Sequence, residues 1–383
     1  MSCDIYLIAG EKSGDLHGEK LIQSLKCMHP DLRIAGVGGP RMRAQGLECT
    51  LPMEEFQVMG FIDVFLALPK LIRQFYTIVR EIERLKPKVV ITIDYPGLNL
   101  RLARHLKKKG VSAKRVHFIC PSVWAWGKKR IPFMAENLDL LLTILPFEKQ
   151  FFSQTSLKTS YVGHPLIERL QSYSYTSLNL PDQSTIVAIF PGSRKKEIER
   201  NLPLYLQACA QLHQKHPEMH FALSVSDERF RPLILQILSS EPNIPLTLIP
   251  ADKSYELMKA AHLAIAKSGT VTLELALHKV PTVVTYGISA LDVIIARDIL
   301  RIRLPYYCLV NIIAQKEIFP ELFGPHFTLE ALNQKLDDIL ANTASIQSSC
   351  ASLICQLGDL NTSEEAAKEV LALLEPLPYN LSH

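Results

Sequence analysis

Two short turns hold residue types that can do chemistry. Gly10-Glu11-Lys12-Ser13-Gly14-Asp15 follows an apolar run near the start, and Lys267-Ser268-Gly269-Thr270 follows another far downstream. A strand that ends in a glycine turn and feeds a helix leaves backbone N–H groups and the positive end of a helix dipole free, which suits a phosphate or another polar ligand. Either turn alone is what an ordinary strand-to-helix connection looks like. In the first, Ser13 and Asp15 are candidate substrate-binding groups, and Glu11 and His17 flank them as orienters or as an acid–base pair. A lone histidine in such a place is more often structural.

Three further constellations bear on the same chemistry. Pro191-Gly192-Ser193-Arg194 follows an apolar run and precedes Lys195-Lys196-Glu197-Ile198, the start of a helical pattern. A guanidinium fixed on such a turn can clamp a diphosphate, and cations at a helix N-terminus oppose the dipole unless an anion binds there. In Ser268-Gly269-Thr270-Val271-Thr272-Leu273-Glu274, hydroxyls and amides would meet phosphate oxygens while Glu274 accepts from a ribose diol. The alternative is that Thr270 and Glu274 only cap a helix. Asp94, in Ile91-Thr92-Ile93-Asp94-Tyr95-Pro96-Gly97, ends an apolar run. It is either a general base whose pKa burial raises, or the N-cap of the helix that follows.

Three segments suit lipid. Pro121 to Arg130 contains both tryptophans, Trp124 and Trp126, and a Lys128-Lys129-Arg130 run; the aromatics would hold a sugar or acyl chain or else belong to the core. Phe61 to Val79 is apolar with cations after it, and Ile294 to Leu304 repeats that composition. Phe61, Phe65, Leu66 and Leu68, clustered around Pro69, are expected to face a membrane, against the alternative of a core helix.

These residues need a scaffold, and the chain is long enough for two domains at 383 residues. Strands are expected at Asp4 to Ala9, Leu32 to Val37, Val89 to Ile93, Val116 to Cys120 and Leu140 to Leu145. A second series runs Thr185 to Phe190, His220 to Val225, Leu246 to Ile249, Leu263 to Ala266 and Thr282 to Tyr286. Nearly continuous apolar runs separated by helical patterns imply α/β architecture: two Rossmann-like doubly wound domains facing a central cleft. The expected division is 1–170, 171–344 and a helical 345–383 that packs back on the first domain. A net charge of +4 does not force a nucleic-acid partner, and the eight scattered cysteines, without a CxxC pair, fit a reducing cytoplasm. No signal peptide and no uninterrupted spanning helix is read from the sequence.

Taken in series, these motifs closely resemble the lipid-A-disaccharide synthases, inverting glycosyltransferases of the GT-B fold. The resemblance rests on the first glycine turn, Gly36-Val37-Gly38-Gly39-Pro40 with Met42, Met59-Gly60-Phe61, Asp94 to Leu100, Pro121 to Trp126 and Leu145-Pro146-Phe147-Glu148. It continues through Val162-Gly163-His164-Pro165, Pro191 to Arg194, Ser268 to Glu274 and Leu309 to Ile313. Leu98, Val310 and Gly324 depart from the family pattern.

The resemblance implies transfer of 2,3-diacylglucosamine from its UDP donor to 2,3-diacylglucosamine 1-phosphate, giving the β-1',6 disaccharide and UDP. It assigns UDP to Arg194, Ser268, Gly269, Thr270 and Glu274, with Asn311 lining the cleft, and proton removal from the acceptor 6-hydroxyl to Asp94. It further implies no cofactor or metal, a peripheral position on the cytoplasmic face of the inner membrane, and a homodimer with exchanged C-terminal parts. The rival is a UDP-sugar 2-epimerase of the same fold, which would need no membrane-facing segment; a non-enzymatic lipid-binding protein would have no use for a UDP site.

Overall fold

The computed structural model describes residues 2–56, 68–125, 127–181, 185–287 and 304–374. It divides into two units, Met1–Gln171 with Asp359–His383, and Ser172–Gly358.

The first unit runs β1 (Ile5–Ala9), α1 (Lys12–Met28), β2 (Ile34–Gly38), α2 (Pro40–Ala44), β3 (Glu48–Pro52), α3 (Leu68–Leu85), β4 (Val89–Ile93), α4 (Pro96–Lys108), β5 (Lys114–Phe118), α5 (Arg130–Asn137), β6 (Leu140–Thr143), β7 (Lys158–Tyr161) and α6 (Pro165–Gln171). Its seven strands form one parallel sheet in the order β3-β2-β1-β4-β5-β6-β7. Every residue of β1, β2 and β4 is buried, because helices cover both faces, and this is why these strands look continuously apolar in sequence. Alternation still sorts the side chains. Ile5, Leu7 and Ala9 pack with Leu21, Ile22 and Leu25 of α1, whereas Tyr6 and Ile8 pack with Ile78, Val79 and Ile82 of α3 and Leu102 and Leu106 of α4.

The second unit repeats the plan with β8 (Thr185–Phe190), α7 (Lys195–Lys215), β9 (Met219–Val225), α8 (Arg231–Ser240), β10 (Leu246–Pro250), α9 (Ser254–Ala260), β11 (Leu263–Lys267), α10 (Thr270–Leu277), β12 (Thr282–Tyr286), α11 (Leu309–Ala314), β13 (Glu321–Phe323), α12 (Leu329–Ala341) and α13 (Thr343–Leu357). Its parallel sheet has the order β10-β9-β8-β11-β12-β13. In each unit the chain order reverses beside the first strand, between β1 and β4 and between β8 and β11. That is where doubly wound sheets bind ligands, at the strand C-termini.

The closing segment starts later than residue 345. Helix α13 stays with the second unit, burying Cys350 and Leu353 and packing on α10 and α11. Helix α14 (Thr362–Leu371) returns to the first unit, where Ala366, Ala367 and Val370 join the core against α1. Lys158 and Ser160 of β7 hydrogen-bond Glu369 at 2.6 and 2.8 Å, and Glu168 of α6 accepts the Ser363 amide at 3.0 Å.

The amphipathic stretch divides. Phe61, Phe65 and Leu66 lie outside the described residues, as do 294–303 of the second such stretch, and Leu68 enters as the first residue of α3. Further along α3, Ile78, Val79 and Ile82 are core, whereas Ile72 and Tyr76 are exposed by 50% and 49%. The alternative of a core helix therefore holds for the second half of α3, while Ile72 and Tyr76 are left exposed. Among the described residues no helix is long and apolar enough to cross a membrane.

Candidate functional site

In the second unit the switch point opens into a cavity of about 370 Å³, between the ends of β8 and β11. Ser193, Ser224, Ser226, Ser254, Lys267, Ser268 and Thr270 supply its polar lining, with Glu197 and Glu274 as the carboxylates. Helix α10 starts at Thr270 with Gly269 as its N-cap. Thr270 is therefore the first helical residue and not the N-cap. A Cβ built on Gly269 would meet nothing within 4 Å, so the first amides of α10 face open space at the positive end of the helix. The hydroxyl of Ser226 is buried without a hydrogen-bond partner, a cost that a ligand oxygen would remove. Glu274 accepts from the Tyr255 hydroxyl at 3.0 Å, which fixes its carboxylate.

The turn after β8 differs from expectation. Glu197 accepts the Ser193 amide at 3.0 Å and pairs with Lys267 at 3.1 Å. Burial pushes its pKa up, but these contacts and Arg194 outweigh burial and hold it below the usual carboxylate range. Arg194 is the N-cap of α7, 82% exposed, 3.6 Å from Glu197. It is absent from the cavity lining, although Ser193 and Glu197 on either side of it are present. The basic helix start is partly balanced by acids, since Lys195 lies 3.7 Å from Glu199. Lys267, which the sequence offered only as part of a turn, is the cation inside the cavity.

Asn311 does not line this cavity. It is fully buried, donating to Phe319 O and Glu321 at 2.7 Å each and accepting the Ile318 and Phe319 amides at 2.8 and 3.0 Å. All its hydrogen-bonding capacity goes into holding α11 to the segment before β13.

In the first unit, Asp94 follows β4 and its amide donates to Phe118 O at 2.9 Å. Asp94 and Tyr95 are both left-handed, with φ of 47° and 46°. Two such non-glycine residues in a row cost about 1–3 kcal/mol each and collect at functional sites. Buried Asn99 holds the bend, donating to Ile93 O at 3.2 Å and Asp94 O at 2.7 Å; its place in the Asp94-to-Leu100 motif was its only signal in the sequence. The N-cap of α4 is Tyr95, without a capping side-chain bond, so Asp94 is not the helix cap. Burial raises the Asp94 pKa, opposed by the Tyr95 amide. Burial and then the Asp94 charge raise Glu11 as well. A Cβ on Gly10 would come within 3.2 Å of the Tyr95 ring, so Gly10, Glu11, Asp94 and Tyr95 form one cluster at the ends of β1 and β4.

The other first-turn residues separate. Ser13 is exposed in the first turn of α1. Asp15 is 3% exposed and accepts from the amides of Gly39, Arg41 and Met42 at 2.9, 3.1 and 3.1 Å. It caps α2 and has no free face for substrate, and a Cβ on Gly39 would collide with it at 2.4 Å. His17 lies edge-on to Phe118 at 6.2 Å, and burial followed by the Arg169 charge pushes its pKa down to about 4. An imidazole of that basicity is neutral near pH 7. Trp124 packs edge-on to Phe147 at 5.8 Å, and Trp126 lies outside the described residues. Glu148, from the Leu-Pro-Phe-Glu motif, accepts the Leu145 amide at 3.1 Å, and burial pushes its pKa up to about 8.

A family model described as lipid-A-disaccharide synthetase matches residues 5–373, a range that contains both clusters. The chain belongs to this family. Members named lipid-A-disaccharide synthase include those of Chlamydia pneumoniae, 43% identical over 83% of this chain and 53% of its own length, and Chlamydia trachomatis, 38% identical over 96% and 62%. The chain thus spans about half to three-fifths of these chlamydial relatives. The Azotobacter vinelandii family member is 35% identical over 97% of this chain and 98% of its own. Among solved structures, a UDP-GlcNAc 2-epimerase from Neisseria meningitidis bound to UDP-GlcNAc has a TM-score of 0.61 at 11% identity, covering 97% of this chain and 99% of its own. The glycosyltransferase of kitacinnamycin has a TM-score of 0.65 at 12% identity, covering 98% and 100%. These last two likenesses show the fold: paired Rossmann-like domains of the GT-B type. At such identities the epimerase likeness says nothing of the reaction.

Proposed function

We propose that this chain transfers 2,3-diacylglucosamine from its UDP donor to the 6-hydroxyl of 2,3-diacylglucosamine 1-phosphate. The observation that carries this reading is the polar cavity at the N-terminus of α10, in a chain matched to a glycosyl-transferring family over residues 5–373. Asp94 takes the proton of the acceptor hydroxyl, the freed oxygen pair bonds to C1 of the donor sugar with inversion, and the C1–O bond to UDP breaks. The α10 amides, Lys267 and Arg194 receive the charge of the departing diphosphate. Glu274 holds the ribose. Incubation with both lipids is expected to yield disaccharide and UDP in equal amounts; a chain that yields neither, or isomerises UDP-GlcNAc, overturns the reading.

Both substrates carry acyl chains, so the protein works as a peripheral enzyme at the cytoplasmic face of the inner membrane. The exposed Ile72 and Tyr76 support this, since apolar area buried in lipid contributes about 25 cal/mol per Å². Replacing Phe61, Phe65, Leu66 and Leu68 by Ser is expected to reduce co-sedimentation with anionic vesicles severalfold. Unchanged co-sedimentation would make that segment a contact with protein.

A further inference from the structure

A groove of about 690 Å³ runs along one face of α4, from Pro96 and Gly97 at its start to Lys108 at its end, between Phe75 of α3 and Phe133 of α5. Five cations line it: Arg101, Arg104, Lys108, Lys129 and Arg130. Among the described residues Arg101, Lys108 and Lys129 form no ion pair, and Arg104 only stacks on Phe133 at 5.7 Å. A groove lined by one sign of charge focuses a positive potential and raises the local concentration of anions. The groove also begins at a helix N-terminus without a capping side chain, where a Cβ on Gly97 would meet nothing within 4 Å. The apolar wall continues from Phe75 to His105, whose ring lies edge-on to Phe75 and Tyr76 at 5.4 and 5.9 Å.

We infer that this groove binds the phosphate of the acceptor, a phosphorylated amino-sugar lipid, and so selects the phosphorylated acceptor over its dephosphorylated form. The inference rests on the transferase reading above. It follows from what the groove joins. Gly97 is three residues beyond Asp94, and Arg101 stands about 6 Å further along the helix axis at 1.5 Å per residue. A hexopyranose bears its C6 arm and its C1 phosphate on the two carbons that flank the ring oxygen. With the 6-hydroxyl at Asp94, the phosphate falls toward the open α4 terminus and Arg101, and the acyl chains have Phe75 and Phe133 to lie against. A general affinity for anionic membranes would not require the cations to extend from the strand end that holds the base.

The test compares two acceptors in mixed micelles, 2,3-diacylglucosamine 1-phosphate and 2,3-diacylglucosamine. In Arg101→Gln/Lys129→Gln, kcat/KM for the phosphorylated acceptor is expected to fall about 10- to 100-fold, the scale of lost charge-assisted hydrogen bonds. The value for the dephosphorylated acceptor should stay near wild type, and the charge-preserving Arg101→Lys/Lys129→Arg should keep the preference. Equal falls for both acceptors in a variant that melts as wild type, or no fall for either, overturn the inference. If the wild type transfers to neither acceptor, the transferase reading fails instead. Retention of the two lipids without donor then decides the groove: it stands if wild type retains the phosphorylated lipid preferentially and Arg101→Gln/Lys129→Gln does not, and falls otherwise.

Discussion

Asp94→Asn should keep the melting temperature and the UDP affinity of the wild type while turnover falls by about 10² to 10⁴, the usual cost of a lost general base. The structure favours so clean a separation. Asp94 does not cap α4, so stability has no cap to lose, and asparagine tolerates the left-handed backbone that this position requires. Its amide also fills the same volume. The raised pKa adds a pH signature. The base works deprotonated, so wild-type activity is lost as pH falls through a value above the ordinary carboxylate range, burial being the cause. Turnover within a few-fold of wild type in Asp94→Asn would pass the role to Glu11, the neighbouring carboxylate, which Glu11→Gln then tests. Asp15 is no longer a candidate, because three backbone amides already occupy it.

The second large effect concerns UDP. Lys267→Ala is expected to weaken UDP binding by about 10- to 100-fold and Arg194→Ala by less, measured by calorimetry on the folded variants. The order follows from burial. Lys267 lines the cavity and is 23% exposed, whereas Arg194 is 82% exposed and must swing in to reach a diphosphate. Removing Lys267 also leaves Glu197 partly uncompensated inside the cavity, where it would repel the nucleotide. Wild-type affinity in both variants would take UDP out of this cavity. A loss confined to Arg194→Ala would put the diphosphate on the outer side of the turn.

The sequence by itself determined the parts that depend on local pattern. Continuous apolar runs placed the central strands of both sheets, since a parallel strand covered on both faces has no polar side to show. Glycine turns after those runs located the ends of β1 and β11, and Asp94 at the end of β4 stood out by chemistry. The same rule hid β3, β7 and β13, three of the four sheet-edge strands, Glu48–Pro52, Lys158–Tyr161 and Glu321–Phe323, while the fourth, β10, kept a legible apolar run. An edge strand is partly solvated, so its side chains are mixed and its run is short.

Only the tertiary structure decided what each polar residue is used for. Asp15 and Asn311 have the residue types of a binding site, yet the amides of Gly39, Arg41 and Met42 saturate the first, and the backbone of Ile318 and Phe319 with the Glu321 carboxylate saturates the second. Glu197 and Lys267 are seventy residues apart in the chain and meet only because β8 and β11 are neighbours. The cations of the α4 groove come from two segments whose separate charges look like ordinary solvated faces. A hydrogen-bond donor or a charge carries no mark in sequence of whether it is already satisfied; that depends on which strand and helix ends the fold brings together.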